Sequence, residues 1–250
     1  LALSSSTHDL QVENKADDTP VTIIDQQADA FICEALSRLP MTFPVVSEEG
    51  EHHHDIGDSP YWLVDPLDGT KGFIAGSKEY TVNIALVVKG LPVLGVIVAP
   101  ALKQSYWAAD GVGAWFREDH RAPQAIQVAP QSGRWRVVIS HFHDPQQLLT
   151  SLSPVMLCDV VQMNSSLKFC LIAKGEADAY IRTGPTSHWD SAAGQCVLHQ
   201  AGGATVDFSS KTLHYTPGLS LLNPAFVALG DRQQLSTLMA HIHTITGESR

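Results

Sequence analysis

Apolar residues change their spacing twice along this chain, and the changes divide it into segments of different kind. Over 25–39, Phe31, Ile32, Ala35, Leu36 and Leu39 recur at three- and four-residue intervals, which predicts an amphipathic helix stopped by Pro40. Val45 and Val46 predict a short strand running into the acidic turn 47–50, and Tyr61, Trp62, Leu63 and Val64 predict another. The stretches TVNIALVV (81–88), VLGVIVA (93–99), SYWAA (105–109) and AWFRE (114–118) follow, separated by the turns KGLP, PALKQ and DGVG. Strands so closely spaced predict a β-meander, hence an antiparallel sheet. From Arg136 onward strands alternate with helices: RVVIS, DPQQLLTSL, SSLKFCLIAKG closed by Gly175, ADAYIRT, the helix DSAAGQCVLHQ opened by Asp190, ATVDF, FVALG and a last helix through Leu235, Leu238, Met239, Ile242 and Ile245. The chain is therefore expected to form an α+β half over 1–133 and an α/β half over 134–250, packed as one unit because no repeat or low-complexity linker separates them.

Composition narrows the classes of function. With 250 residues, 44% hydrophobic and 17% charged, the chain can bury a sizeable core. A net charge of −10 without a Lys/Arg cluster argues against binding a nucleic-acid backbone. An acidic protein that handles a phosphorylated small molecule needs cations as intermediaries. Cys33, Cys158, Cys170 and Cys196 form no CxxC pair and lie in apolar stretches, which predicts reduced core thiols. No run approaches the ~20 apolar residues of a membrane helix, so the expected location is the cytoplasm, with peripheral attachment at the inner membrane as an alternative.

The candidate chemistry concentrates in DPLDGT, residues 65–70. Asp65 and Asp68 stand three residues apart, Pro66 biases Asp65 toward an extended conformation at a strand end, and Gly69 lets backbone approach an anion closely. Metal and phosphate can both be held by so short a segment. Asp25, Glu48, Glu49 and Asp190 also fall where elements meet, and carboxylates there can share a cleft. Asp25 or Asp190 alone reads equally as a helix cap. A phosphoaspartate-forming DxDGT motif is excluded because its aspartates are two apart, and an EF-hand loop is excluded because 65–76 lacks the alternating ligands and distal glutamate. His52, His53 and His54 adjoin one another in an acidic turn and read as a solvated loop.

The segments SEE (47–49), WLVDPLDGTK (62–71) and WDSAAGQ with a downstream AGG (189–203) together resemble the lithium-sensitive, magnesium-dependent phosphatase superfamily, which includes inositol monophosphatases and fructose-bisphosphatases. KADDTPVTIID, YTVNIALV, SSLKFCL and GPTSHWD bring the chain nearest to its bacterial CysQ-type 3'(2'),5'-bisphosphate nucleotidases. The resemblance implies a layered αβαβα sandwich, antiparallel in its first sheet and mixed in a smaller second one. It also implies two or three Mg²⁺ ions held by Glu48, Asp65, the carbonyl of Leu67, Asp68 and Asp190. Thr70, helped by Glu48 or Asp25, would orient the attacking water. The N–H groups of Gly69 and Thr70 would hold phosphate, and Lys71, Ser165, Ser166, Lys168 and Asp190 would meet the rest of the substrate, with Arg182 a further candidate. Lys168 has the alternative of a solvated lysine on a helix.

The implied activity is hydrolysis of the 3'-phosphate of 3'-phosphoadenosine 5'-phosphate. An inositol- or sugar-phosphate phosphatase is the alternative within the same chemistry, and a catalytically silent binding protein the alternative outside it. A homodimer is left open. Two departures from the pattern stand out: Gly72 where glutamate is usual, and Asn164 where glycine is expected. The family's first helix before KADDTPVT is also largely missing.

Overall fold

The computed structural model describes residues 12–14, 20–50, 56–57, 59–152, 154, 156–216 and 220–246. His52, His53 and His54, Lys15 to Thr19 of the KADDT segment, and residues 1–11 lie outside the described residues. A hairpin of β1 (Val12–Asn14) and β2 (Pro20–Thr22) leads into α1 (Ile23–Ser37). Then come β3 (Val45–Ser47), β4 (Tyr61–Asp68), the short α2 (Thr70–Ile74), β5 (Thr81–Val88), β6 (Leu91–Ala99), β7 (Gln104–Ala109), β8 (Gly113–Glu118) and β9 (Gln124–Ile126). The second half contributes β10 (Trp135–Ile139), α3 (Pro145–Leu152), β11 (Cys158–Gln162), α4 (Leu167–Ala173), β12 (Ala179–Arg182), α5 (Ala192–Gln200), β13 (Ala204–Asp207), β14 (Phe226–Leu229) and α6 (Leu235–Thr246).

Strands β3 to β9 form one sheet in chain order, and a second sheet has the order β11-β10-β12-β14-β13. The first sheet is mixed rather than wholly antiparallel, because β3 pairs parallel with β4. In the second, β10 runs parallel to β11 and β12, while β14 runs antiparallel to β12 and β13. The amino-acid pattern gave no strand at β9 or β11. Both lie on sheet edges, where one-sided burial weakens the apolar signal.

Alternation in β5 shows how the layers form. Ala85 and Val87 point into the core shared by both sheets, where Ile97 and Tyr106 meet Phe169, Val197 and Phe226 of the second half. Val82, Ile84 and Leu86 point the other way, toward Ile32 and Leu36 of α1. Helices α4 and α5 lie between the sheets, while Leu152 of α3 and Leu238, Met239 and Ile242 of α6 cover the far face of the second sheet against Val137 and Val227. The result is the αβαβα sandwich.

Tight packing fixes α5. A β-carbon on Gly95 of β6 would come within 2.7 Å of the Ala193 carbonyl, and one on Gly194 within 2.5 Å of the Phe169 ring. The turn that leads into α5 carries Asp190, so this packing also holds the site.

Candidate metal centre

DPLDGT does not end β4 at Asp65. The strand continues to Asp68 through a bulge, in which Asp65 pairs with Asn83 and Asp68 with Thr81, so one extra residue is accommodated. Pro66 has no N–H for the ladder and is tolerated at this irregularity. The bulge turns the chain back on itself, and the Leu67 N–H donates to Asp65 Oδ1 at 3.0 Å. Gly69 then adopts φ 97°, and its missing β-carbon leaves room for Ser165, whose Oγ would stand 2.4 Å from it.

The carboxylates of Asp65, Asp68 and Asp190 converge, with one oxygen from each within 4.8 Å of the others. Each spends one oxygen on the protein. Asp65 Oδ2 is buried and accepts no hydrogen bond. Asp68 Oδ2 takes the Ser166 N–H at 2.7 Å, the Thr81 hydroxyl at 3.2 Å and the Asn83 amide at 3.3 Å. Asp190 Oδ2 takes the Ser187 N–H at 2.7 Å in a capping box. Beneath that turn, Asn223 Nδ2 donates to the Ser187 carbonyl at 2.6 Å, and the Tyr215 hydroxyl lies 3.2 Å from Ser191 Oγ.

Burial, then the neighbouring carboxylates of Glu48, Asp68 and Asp190, push the Asp65 carboxyl well above the usual range. Burial, with Asp68 beside it, pushes Asp190 up to about 8. Three converging acids, one buried and two at the edge of a cavity, can hold a cation. An oxygen-only donor set suits a hard ion such as Mg²⁺, and the unpartnered Asp65 Oδ2 offers it a ligand.

The other expected residues are placed as follows. Glu48 follows β3, its N–H bonded to Val64 O at 3.1 Å and its carboxylate against Asp65. Glu49 is half-buried beside it, its N–H 3.4 Å from Ser47 Oγ. The Thr70 hydroxyl lies 3.1 Å from both Asp25 Oδ1 and the Leu67 carbonyl. Asp25 caps α1 with its other oxygen, which accepts from the Thr22 N–H and hydroxyl, while Oδ1 faces Thr70.

Ser165 and Ser166 hydrogen-bond to the backbone around the carboxylates, and Ser165 also lines the adjoining cavity. Ser165 Oγ lies 2.9 Å from Asp68 O and 3.0 Å from Glu79 O, and Ser166 Oγ donates to Asp190 O at 2.8 Å while accepting from Asn83. Lys168 is not a solvated lysine. It is buried, donates to Ser165 O at 2.7 Å and lies 5.2 Å from the Tyr180 ring centroid. Burial pulls its ammonium down to about 8. Gly72 is buried in α2 facing Ser77, and Asn164 Oδ1 accepts from Ser140 Oγ and the His141 N–H.

From the carboxylates a cavity of about 380 Å³ opens past Gly69, with Lys71, Lys168, Arg182 and Tyr180 on its walls. The Arg182 guanidinium is oriented by the carbonyls of Gly184 and Pro185 at 3.1 and 2.8 Å. No motif in the sequence points to Thr81, Asn83, Glu79 or Tyr180 as individual site residues. Polar residues at inward positions of the otherwise apolar β5 were the available signal for Thr81 and Asn83.

The model of the inositol monophosphatase family matches residues 1–246. A relative from Salmonella typhimurium, named 3'(2'),5'-bisphosphate nucleotidase CysQ, is 45% identical over 87% of this chain and 88% of its own. CysQ from Bacteroides thetaiotaomicron, itself described as a bacterial member of that family, superposes with a TM-score of 0.77 at 34% identity, covering 92% of this chain and 89% of the other. A more distant fold neighbour at 18% identity and TM-score 0.77, covering 94% of this chain and 86% of the other, is an inositol monophosphatase/NADP phosphatase solved with Mg²⁺ and phosphate. None of the described helices is long and apolar enough to cross a membrane.

Proposed function

We propose a function from one premise: the chain belongs to the inositol monophosphatase family. It is a phosphomonoesterase that hydrolyses the 3'-phosphate of a nucleoside 3',5'-bisphosphate such as 3'-phosphoadenosine 5'-phosphate. One observation carries this reading: a single cavity joins Asp68 and Asp190, two of the three converging carboxylates, to a wall bearing Lys71, Lys168 and Arg182. Among the described residues none of these three cations forms an ion pair with a carboxylate. A monophosphate would engage the acidic end alone, whereas a bisphosphate uses both. The name of the Salmonella relative supports the same substrate class.

In this reading Asp65, Asp68, Asp190, Glu48 and the Leu67 carbonyl hold two or three Mg²⁺ ions. Bound there, the ions supply Lewis acidity and neutralise phosphoryl charge. Thr70 donates its proton to Asp25, which leaves a lone pair to accept from a water and fix its line of approach. Backbone N–H groups of Gly69 and Thr70 receive phosphoryl oxygens. Lys71 and Arg182 take the second phosphate, and Lys168, fixed on Ser165 O, sets the positive potential of the wall.

Phosphate release from 3'-phosphoadenosine 5'-phosphate, inositol 1-phosphate and fructose 1,6-bisphosphate tests the assignment. The nucleotide is expected to give the highest kcat/KM. Faster turnover of inositol 1-phosphate would overturn it.

A further inference from the structure

Phe142 is 67% exposed, yet it lines the same cavity as Asp68 and Asp190. Ser140, His143, Lys168 and Arg182 line the cavity too, and its other rings, Phe169, Tyr180 and Phe226, are buried in the core, so Phe142 is the exposed ring of the lining. A single exposed ring in such company is too small an apolar patch to bind a protein. Its backbone is nonetheless held firmly. The Ser140 hydroxyl donates to Asn164 Oδ1 at 2.9 Å and accepts the Phe142 N–H at 3.2 Å, while the His141 N–H reaches the same Oδ1 at 3.1 Å. Asn164 is itself anchored, its N–H donating to Glu79 Oε2 at 3.0 Å, and the His141 ring lies 3.1 Å from that carboxylate. Glu79 O also receives Ser165 Oγ, so the loop that presents Phe142 is tied to the scaffold that holds Asp68.

We infer that Phe142 is the stacking platform for the nucleobase, and that Asn164 and Glu79 are the positioning residues that aim it. The inference rests on the bisphosphate nucleotidase reading above. Phenylalanine offers a flat face and no hydrogen-bond group, so it binds any base about equally and reads no base identity. Substrates are thus selected for having a base.

The test compares wild type, Phe142→Ala and Phe142→Trp on 3'-phosphoadenosine 5'-phosphate, its guanosine counterpart and base-free ribose 3,5-bisphosphate, with Mg²⁺ present. Phe142→Ala is expected to raise KM for both nucleotides roughly tenfold with kcat unchanged. It should leave the base-free substrate and the melting temperature unaffected, and Phe142→Trp should restore the nucleotide KM. An unchanged nucleotide KM, or equal losses on base-free and nucleotide substrates, would overturn the inference while the activity assignment stood. Absence of nucleotide turnover by the wild type would overturn both.

Discussion

Gly69→Ala is the most informative single substitution, because two separate penalties meet at that atom. Alanine at φ 97° carries the strain of the left-handed region, about 1–2 kcal/mol. Its β-carbon would also stand 2.4 Å from Ser165 Oγ, so that hydroxyl must leave the carbonyls of Asp68 and Glu79, at a cost of roughly 1–2 kcal/mol. The sum is about 2–4 kcal/mol, or a fall in melting temperature of roughly 5–15 °C for a chain of this size. Displacing Ser165 also drags the Ser166 N–H away from Asp68 Oδ2, so Mg²⁺ affinity should drop alongside stability. Denaturant unfolding of Gly69→Ala, Ser165→Ala and the double variant isolates the clash. With Ser165 Oγ gone, Gly69→Ala should cost only the backbone strain, giving a coupling of about 1 kcal/mol or more. Strict additivity, or a Gly69→Ala variant as stable as wild type, would refute the packing assigned to this turn.

Three further outcomes follow from the site. Asp190, raised to about 8, and Asp65, raised well above its usual range, bind protons at pH 7 in the metal-free fold that an unfolded chain has already lost. At these two carboxyls native protons exceed unfolded ones, while buried His188 and His199, pulled down to about 4, act in the opposite sense below about 6.5, so the decline in metal-free stability should show as pH rises from about 6.5 to about 8. Mg²⁺ addition at pH 7 should expel roughly one to two protons per chain, measured by calorimetry in buffers of different ionisation enthalpy, and fewer at pH 9; zero release at pH 7 would contradict the assignment. Thr70→Val removes the hydroxyl shared by Asp25 and Leu67 and should lower kcat about a hundredfold or more, whereas Thr70→Ser should retain most of it. Equal turnover by the valine variant would remove Thr70 from the reaction.

How far the site could be read from sequence depended on the range over which each feature is determined. DPLDGT was legible because aspartate spacing, proline and glycine act within six residues. The strand's continuation through Pro66 was not, since it depends on how Asp65 and Asp68 pair with Asn83 and Thr81 on β5. Inward alternation on β5 was plain from Ala85 and Val87, but its extension to the donors of Asp68 emerged only once the bulge brought that carboxylate over Thr81. Lys168 reads as a surface residue by type. Its burial was not legible because Tyr180, under its ammonium, lies on β12, whose contact with α4 the sequence does not encode locally; the bond to Ser165 O, three residues back, is the local part. Ser165 and Ser166, expected at the substrate, bond to the Asp68 and Asp190 carbonyls and the Asp68 carboxylate, and Ser165 also lines the cavity; the bonds to distant segments are what the sequence did not reveal.

The claim that the Asp65, Asp68 and Asp190 cluster binds the ions that enable hydrolysis is tested most directly by Asp68→Asn. This near-isosteric change keeps the size of the side chain and removes the charge. Phosphate release from 3'-phosphoadenosine 5'-phosphate, assayed across a Mg²⁺ titration, should fall at least about a hundredfold with a much weaker Mg²⁺ dependence, while the fold stays intact. Wild-type turnover with an unchanged Mg²⁺ profile in Asp68→Asn would contradict the account.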